Sequence, residues 1–335
     1  MYLFLSFVLF SLKCFSSIAQ EFTYDEQYNW RQQFPSCGGR RQSPININTN
    51  EVVKDASLEL NLIDYNKPYA NLIANNNGHT VRITMGSTSK TPELSGSVVG
   101  HGVYHLEELH FHWGDDNFEG TEHSIDNYFG SAELHFVHYN AKYGNLLNAR
   151  QNSDGIVVLT VISQLSRSEN NALQPIIGAL RHISKYNTSA TIANQIVFDK
   201  ILPLNKQLFF TYKGSLTTPP CSESVQFIIY ADPIRMNPFQ LSQFRRLFKK
   251  SNFRRIVSNT RDVQRRHGRV VSVSVPKGNK DSNFDDNENS QIMIRIFSHF
   301  FSSSLTGPPS EVSVLLIIAP KESPSSPSPC CITQS

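Results

Sequence analysis

The segment His110-Phe111-His112-Trp113 is followed by Glu133-Leu134-His135, and together they contain the ligand set of an open catalytic zinc site. Successive side chains in an extended strand alternate faces, so His110 and His112 share one face while Phe111 and Trp113 take the other. Glu133-Leu134-His135-Phe136-Val137 alternates in the same way, with a carboxylate, an imidazole and a valine on its odd-numbered face. Two neighbouring strands of this kind aim three imidazoles at one point. Three neutral ring nitrogens suit Zn²⁺ and leave a fourth position for water. Each ligand also needs an acceptor for its other ring nitrogen, and carboxylates stand nearby in the sequence. The remaining histidines His101, His105, His138, His182, His267 and His299 are read as tolerated in half-buried strands, without chemistry.

The elements that must position these side chains are strands. From about Tyr24 to Pro276 short apolar alternations are broken by Gly, Pro and Asn clusters, with few long helical periodicities. This pattern predicts a sheet-dominated single domain. The best strand candidates are Ala70 to Met85, Tyr104 to Trp113, Ser131 to Tyr139, Gly155 to Leu165 and Ser224 to Ala231. The best helices are Leu173 to Tyr186 and Pro238 to Phe248, the second with basic residues toward its end, where they suit the helix dipole. Arg245 to Arg269 is dense in Arg and Lys, but Phe244, Leu247, Phe248, Phe253 and Ile256 interleave as packing residues would, so the stretch is read as a solvated face rather than a polyanion site.

With 335 residues, 31 Lys plus Arg against 28 Asp plus Glu, and a formal charge of +3, the chain can bury a large core. Its charge points to neither nucleic acid nor a membrane surface. Residues 1–19 read as a secretory signal: an apolar run to Leu12, then small residues at Ser17-Ile18-Ala19 before Gln20, though without a positive start. The domain then occupies residues 20–276, and residues 277–335 form a tail outside it, rich in Ser and Pro near its end and disordered by default. The tail ends in polar Ile332-Thr333-Gln334-Ser335 and its run Val312 to Ala319 is too short to span, so no membrane anchor is expected. Removing the signal also removes Cys14 and leaves Cys37, Cys221, Cys330 and Cys331 in an oxidising compartment. Cys37 and Cys221 are the natural pair, although sequence alone leaves the connectivity open. Asn187-Thr188-Ser189 is a glycosylation sequon.

The words around the three histidines are specific: Gln42-Ser43-Pro44-Ile45-Asn46-Ile47, Asn76-Asn77-Gly78-His79, HFHWG at 110–114, Glu122-His123-Ser124-Ile125-Asp126, AELHFVHYN at 132–140 and GSLTTPPC at 214–221. Together, in order and over roughly Phe22 to Val275, they closely resemble an α-class carbonic anhydrase of the secreted type. The resemblance implies a mainly β (α+β) domain, built on a large twisted, mostly antiparallel sheet of about ten strands with short surface helices. It implies reversible hydration of CO₂ to bicarbonate and a proton, by attack of a zinc-held hydroxide, with ester cleavage only as a side activity. Zn²⁺ would be held by His110, His112 and His135, with Glu108 and Glu133 behind the ligands.

Residue by residue, Thr217 matches the hydroxyl that orients the nucleophile, and Glu122 the carboxylate that accepts the Thr217 hydrogen bond. His79 matches the proton shuttle, a role suited to an imidazole with a pKa near ~6.5. Asn77, and in an uncertain register Tyr24, match polar cavity residues. Val137, Val158, Leu216 and Val225 match the apolar pocket for CO₂, and Thr218 matches a residue lining the bicarbonate site. A Cys37–Cys221 disulfide and binding of sulfonamide-type inhibitors are implied as well. Three residues depart from the family pattern. Glu108 stands where Gln is frequent, and an ionised carboxylate there adds negative charge near the metal. Arg82 replaces a neutral cavity residue and Phe227 a frequent Trp; neither is expected to touch the ligand set. The rival readings are a binding module, which usually lacks zinc ligands that this chain retains, and a zinc hydrolase, for which neither a G-x-S-x-G nor an HExxH motif is present.

Overall fold

The computed structural model describes residues 21–86, 90–250 and 253–275. The proposed signal segment 1–19, the tail 277–335, and with them Cys14, His299, Cys330 and Cys331 lie outside the described residues. The dominant element is a mixed, mostly antiparallel sheet of 13 strands. Ten of them form one continuous hydrogen-bonded path. In chain order these are β1 (Val53–Asp55), β2 (Ile73–Asn76), β3 (Val81–Thr84), β4 (Tyr104–Trp113), β5 (Ala132–Asn140), β6 (Ile156–Leu165), β7 (Thr188–Thr191), β8 (Phe209–Gly214), β9 (Val225–Tyr230) and β10 (Ser272–Ser274). Across the sheet they run β7-β2-β3-β4-β5-β6-β9-β8-β10-β1. The β6–β9 and β10–β1 pairs are parallel. Three short strands, Asn61–Ile63, Glu93–Ser95 and Ile234–Met236, extend the path to thirteen.

Every strand segment expected from alternation is present. The Ala70 to Met85 segment resolves into a hairpin, β2 and β3, around Asn77-Gly78-His79. Gly78 sits at φ 84°, a backbone region that favours glycine, and Asn77 Oδ1 accepts the His79 and Thr80 N–H groups at 2.9 Å each.

Period 2 divides the long central strands between two apolar clusters. Phe111, Trp113, Leu134 and Phe136 enter the larger one, with Leu106 and Leu109, beneath the surface helices. Val137, Val158, Val225, Phe210, Tyr212 and Phe227 enter a second cluster on the opposite face, and Leu216 packs against it. The three ligand-candidate histidines alternate out of step with the large core, which is why they can converge in the interior without meeting it. A bulge interrupts the β4–β5 ladder: Val137 pairs with Glu108 but His138 pairs with Leu106, so the face of β4 switches at Glu107.

The helices are shorter than expected. Gln174–Leu180 is preceded by a 3₁₀ turn at Asn171–Leu173, and Pro238–Phe244 starts on an Asn237–Gln240 capping box. The second stops at Arg245, whose guanidinium donates to Gly114 O, Asn117 Oδ1 and Asp116 O at 2.7–2.8 Å and so anchors the loop leaving β4. The Arg-rich stretch is thus not simply a solvated face: Arg261 is buried, whereas Phe253, expected to pack, is 92% exposed. Cys37 and Cys221 form a disulfide with a Cα separation of 4.9 Å, within the normal span.

Of the histidines denied chemistry, His101, His182 and His267 lie outside strands and are exposed, whereas His138 is fully buried on β5 with Nε2 2.5 Å from the Tyr65 hydroxyl. Burial pushes the His138 pKa down to about 4 against the opposing pull of the Val157 and Phe136 carbonyls. The folded ring is therefore neutral where the unfolded one, at ~6.5, would still bind a proton. Between these values the unfolded state binds more protons, so stability is full above pH ~6.5 and falls as pH drops toward 4. Replacing His138 by Gln is expected to remove that component. Between pH 7 and pH 4 the variant should lose less unfolding free energy than wild type, by on the order of 3 kcal/mol. Parallel chemical-denaturation curves at the two pH values would contradict this.

Candidate metal centre

The β4–β5 register sets His110 opposite His135 and His112 opposite Glu133. The three imidazoles converge, with ring centroids 4.6–5.2 Å apart. One nitrogen from each lies within 4.8 Å of the others. The hydrogen bonds say which nitrogen that is. His110 Nδ1 is 2.9 Å from Glu108 Oε1, and His112 Nδ1 is 2.8 Å from the Asn259 carbonyl. His135 Nε2 is 2.6 Å from Glu133 Oε1. Carbonyls and ionised carboxylates only accept, so each of these nitrogens is the donor of its pair, and the nitrogen left over for a metal is the other one. The donor set is therefore Nε2 of His110, Nε2 of His112 and Nδ1 of His135. His112 Nε2 is buried without any protein partner, an orphaned acceptor that a metal ion would satisfy. Burial pushes the pKa of His112 down to about 3 and that of His135 down to about 4, so both are neutral, the state a metal ligand requires. The donor set fits Zn²⁺.

Behind the ligands the carboxylates are fully enclosed. Glu133 takes His135 and His123 on Oε1, the latter through Nδ1 at 2.7 Å, and the backbone N–H groups of Glu122 and His123 on Oε2 at 3.0 and 2.8 Å. Burial alone would raise its pKa, but His123 and His135 outweigh burial and hold the carboxyl well below its usual range. Glu122 is also wholly buried: Oε1 accepts the Arg261 N–H at 3.0 Å, and Oε2 is without a full hydrogen bond. Burial raises the Glu122 pKa, while His135, the Thr217 hydroxyl and the Arg261 N–H work against it. Thr217 itself is 5% exposed, in a loop pinned by the disulfide at Cys221 and by reciprocal bonds between Ser43 and Ser215 at 3.0 and 3.1 Å. The valines expected at the pocket line up across strands, with Val137 opposite Val158 and Val225 opposite Ile156. His79 stands apart, its ring stacked on Phe22 at 4.0 Å beside a cavity of about 360 Å³ whose lining includes Tyr24, Asn77, Lys249 and Ile256 but none of the three ligand candidates.

The chain matches the eukaryotic-type carbonic anhydrase family over residues 25–275. It is 35% identical to carbonic anhydrase 6 of Mus musculus over 249 residues, which is 73% of this chain and 77% of the relative. It is 34% identical to carbonic anhydrase 6 of Homo sapiens over 264 residues (76% and 84%), and 36% identical to carbonic anhydrase 1 of Mus musculus over 250 residues (73% and 94%). The chain belongs to the α-class carbonic anhydrase family. Carbonic anhydrases are lyases that hydrate CO₂, and this one retains a three-histidine group able to hold a metal.

Several parts of this carbonic anhydrase site were not legible beforehand. Phe227 does touch the ligand set, because its ring packs edge-on against His135 at 5.9 Å and against His123 at 4.8 Å, with Tyr212 stacked behind it. His123 stood in a recognised word but without a role; it bridges Glu133 to the Tyr212 hydroxyl at 2.7 Å. Arg261 reaches Gln42 Oε1, Ser43 O and Cys37 O, so the charge read as solvated clamps the N-terminal words onto the site. Asn77 spends its carbonyl oxygen on the turn before His79. Among the described residues no helix is long and apolar enough to cross a membrane.

Asn259 gave no signal in sequence. Besides the carbonyl that holds His112, its side chain accepts the Trp113 N–H at 2.7 Å and donates to His79 O and Phe111 O at 3.0 and 2.9 Å. Asn259→Ala strips these buried groups of their partner at a cost of about 2–4 kcal/mol. The variant should melt at lower temperature and release bound metal faster than wild type. Unchanged melting would contradict the assignment.

Proposed function

We propose that this carbonic anhydrase carries out reversible hydration of CO₂ with Zn²⁺ held by His110, His112 and His135. One observation carries the reading: three rings each have one nitrogen committed to a fixed acceptor and the other turned to a common point. Zinc held there would supply Lewis acidity, lowering the pKa of a bound water to about 7.

The residues do the remainder. Glu122 accepts but does not donate when ionised, so the Thr217 hydroxyl donates its hydrogen bond to the carboxylate and keeps a lone pair to accept from the nucleophilic water. Only one orientation of that water is then satisfied, which lowers the entropic cost of attack. Val137, Val158, Val225 and Leu216 form an apolar wall suited to CO₂, which offers little to hydrogen-bond, and Thr218 receives the bicarbonate product beside it. The proton is passed outward by His79. Burial lowers its pKa from the ordinary value, opposed by Glu21 and reinforced by Lys249, so the ring is neutral and ready to accept at pH 7. Sulfonamide-type inhibitors are expected to bind at the metal, with Thr217 beside them.

The chain is read as secreted, with residues 1–19 as signal, 20–276 as the catalytic domain and 277–335 as a tail beyond it. The Cys37–Cys221 disulfide supports an oxidising destination. Asn187, exposed at φ 58° just before edge strand β7, is accessible to glycosylation.

His135→Ala is expected to lose most of its zinc and its CO₂ hydration together. Zinc remaining near one equivalent would sink the ligand assignment. His79→Ala should keep its zinc and slow turnover mainly in weakly buffered solution, with added imidazole restoring the rate; absence of that rescue would point to another proton route.

A further inference from the structure

Two of the three carboxylates around the site are fixed by the backbone, and the third is not. Glu133 is held by two backbone N–H groups besides its two histidines, and Glu122 by the N–H of Arg261. Glu108, which orients His110, has side-chain partners instead: His110 on Oε1, and Arg82 on Oε2. Arg82 lies on β3 directly opposite His110 on β4. Its Nε and Nη2 both stand 2.5 Å from Glu108 Oε2. The guanidinium thus occupies one oxygen completely and leaves Oε1 to the ring nitrogen of His110.

We infer that Arg82 is a positioning residue of the metal centre, locking the Glu108 carboxylate so that it in turn fixes the tautomer and orientation of His110. The inference rests on the proposed reading of the three imidazoles as zinc ligands. Glu108 and Arg82 then act as one unit, a carboxylate behind His110 together with the cation that balances it. Glu108 is only 12% exposed in its side chain, against 37% for Arg82. Without its partner, so enclosed a carboxylate is an uncompensated charge, relieved by turning toward water and away from His110. Arg82 does for Glu108 what backbone N–H groups do for Glu133. The pair also offsets the negative charge that Glu108 alone would add beside the metal.

The two positions must therefore be coupled, because an amide at 108 can hold His110 without needing a cation. Zinc release into an excess of chelator, followed on the full-length protein, separates the possibilities. Arg82→Met is expected to release zinc about 10-fold faster than wild type, within the range seen when partners of metal ligands are removed. Whatever rate Glu108→Gln itself shows, the Arg82→Met/Glu108→Gln double variant should stay within about 3-fold of Glu108→Gln, so that Arg82→Met adds almost nothing once the carboxylate is gone. Arg82→Lys should fall between wild type and Arg82→Met, since an ammonium keeps the charge but not the planar fork. If Arg82→Met folds poorly, the comparison of Glu108→Gln with the double variant and with Arg82→Lys still carries the test. A release rate in Arg82→Met equal to or slower than wild type, or the same acceleration whether residue 108 is Glu or Gln, overturns the inference. Wild-type protein that binds no zinc at all overturns the metal reading itself, a result distinguishable from either.

Discussion

Each of the three imidazoles can give a lone pair to a metal only if its other nitrogen has somewhere fixed to put a proton, and the fold is organised around supplying those three acceptors. Glu108 and Glu133 each stand two residues before the histidine they serve, on the same face of the same strand. The third acceptor is a backbone carbonyl at Asn259, on a loop far along the chain. Adjacent long antiparallel strands are what make the convergence possible, since a one-residue slip of β4 against β5 would turn a whole set of side chains to the wrong face.

The arrangement concentrates charge where water is excluded, which is costly unless every lone pair is met. Glu133 meets this condition with four hydrogen bonds, two of them from backbone N–H groups that cannot move away. His123 extends the network to Tyr212, and Phe227 fills the space between the rings. Arg261, buried and stacked over Trp30, joins this interior to the disulfide-bearing N-terminal turn while its own N–H holds Glu122. The segment that presents Thr217 is therefore tied from both sides: by the disulfide and Arg261 at the N-terminal words, and by Ser43 against Ser215. Under the proposed role of Thr217, rigidity at this point matters because orienting a water is useful only if the orienting hydroxyl stays still.

The strands were legible because alternation is a local signal that burial on two faces reinforces. The same alternation puts His110, His112 and Glu108 on one face. The helices end earlier than the apolar spacing suggests: past Leu180 and Phe244 the chain makes only tight i→i+3 turns, and Arg245 is drawn off to the loop after β4. What sequence hid is what tertiary contact creates. Asn259 and Arg261 sit in a basic stretch whose composition suggested solvent, and their partners lie 139 to 224 positions away. The Arg82–Glu108 pair depends on the β3–β4 register, and the Phe22–His79 stack on a fold-back of the N-terminal segment; neither has a local signature.

The central claim is that three imidazoles, each fixed through its other nitrogen, hold one zinc ion and thereby make this chain a CO₂ hydratase. Its most direct test is zinc stoichiometry on the purified, oxidised wild-type protein together with stopped-flow CO₂ hydration on the same sample, before and after chelation. The account predicts one equivalent of zinc and rapid hydration, abolished by chelation and restored by adding zinc back. Protein that is metal-free as purified and cannot be loaded, or that carries one equivalent and leaves CO₂ at its uncatalysed rate, would contradict it.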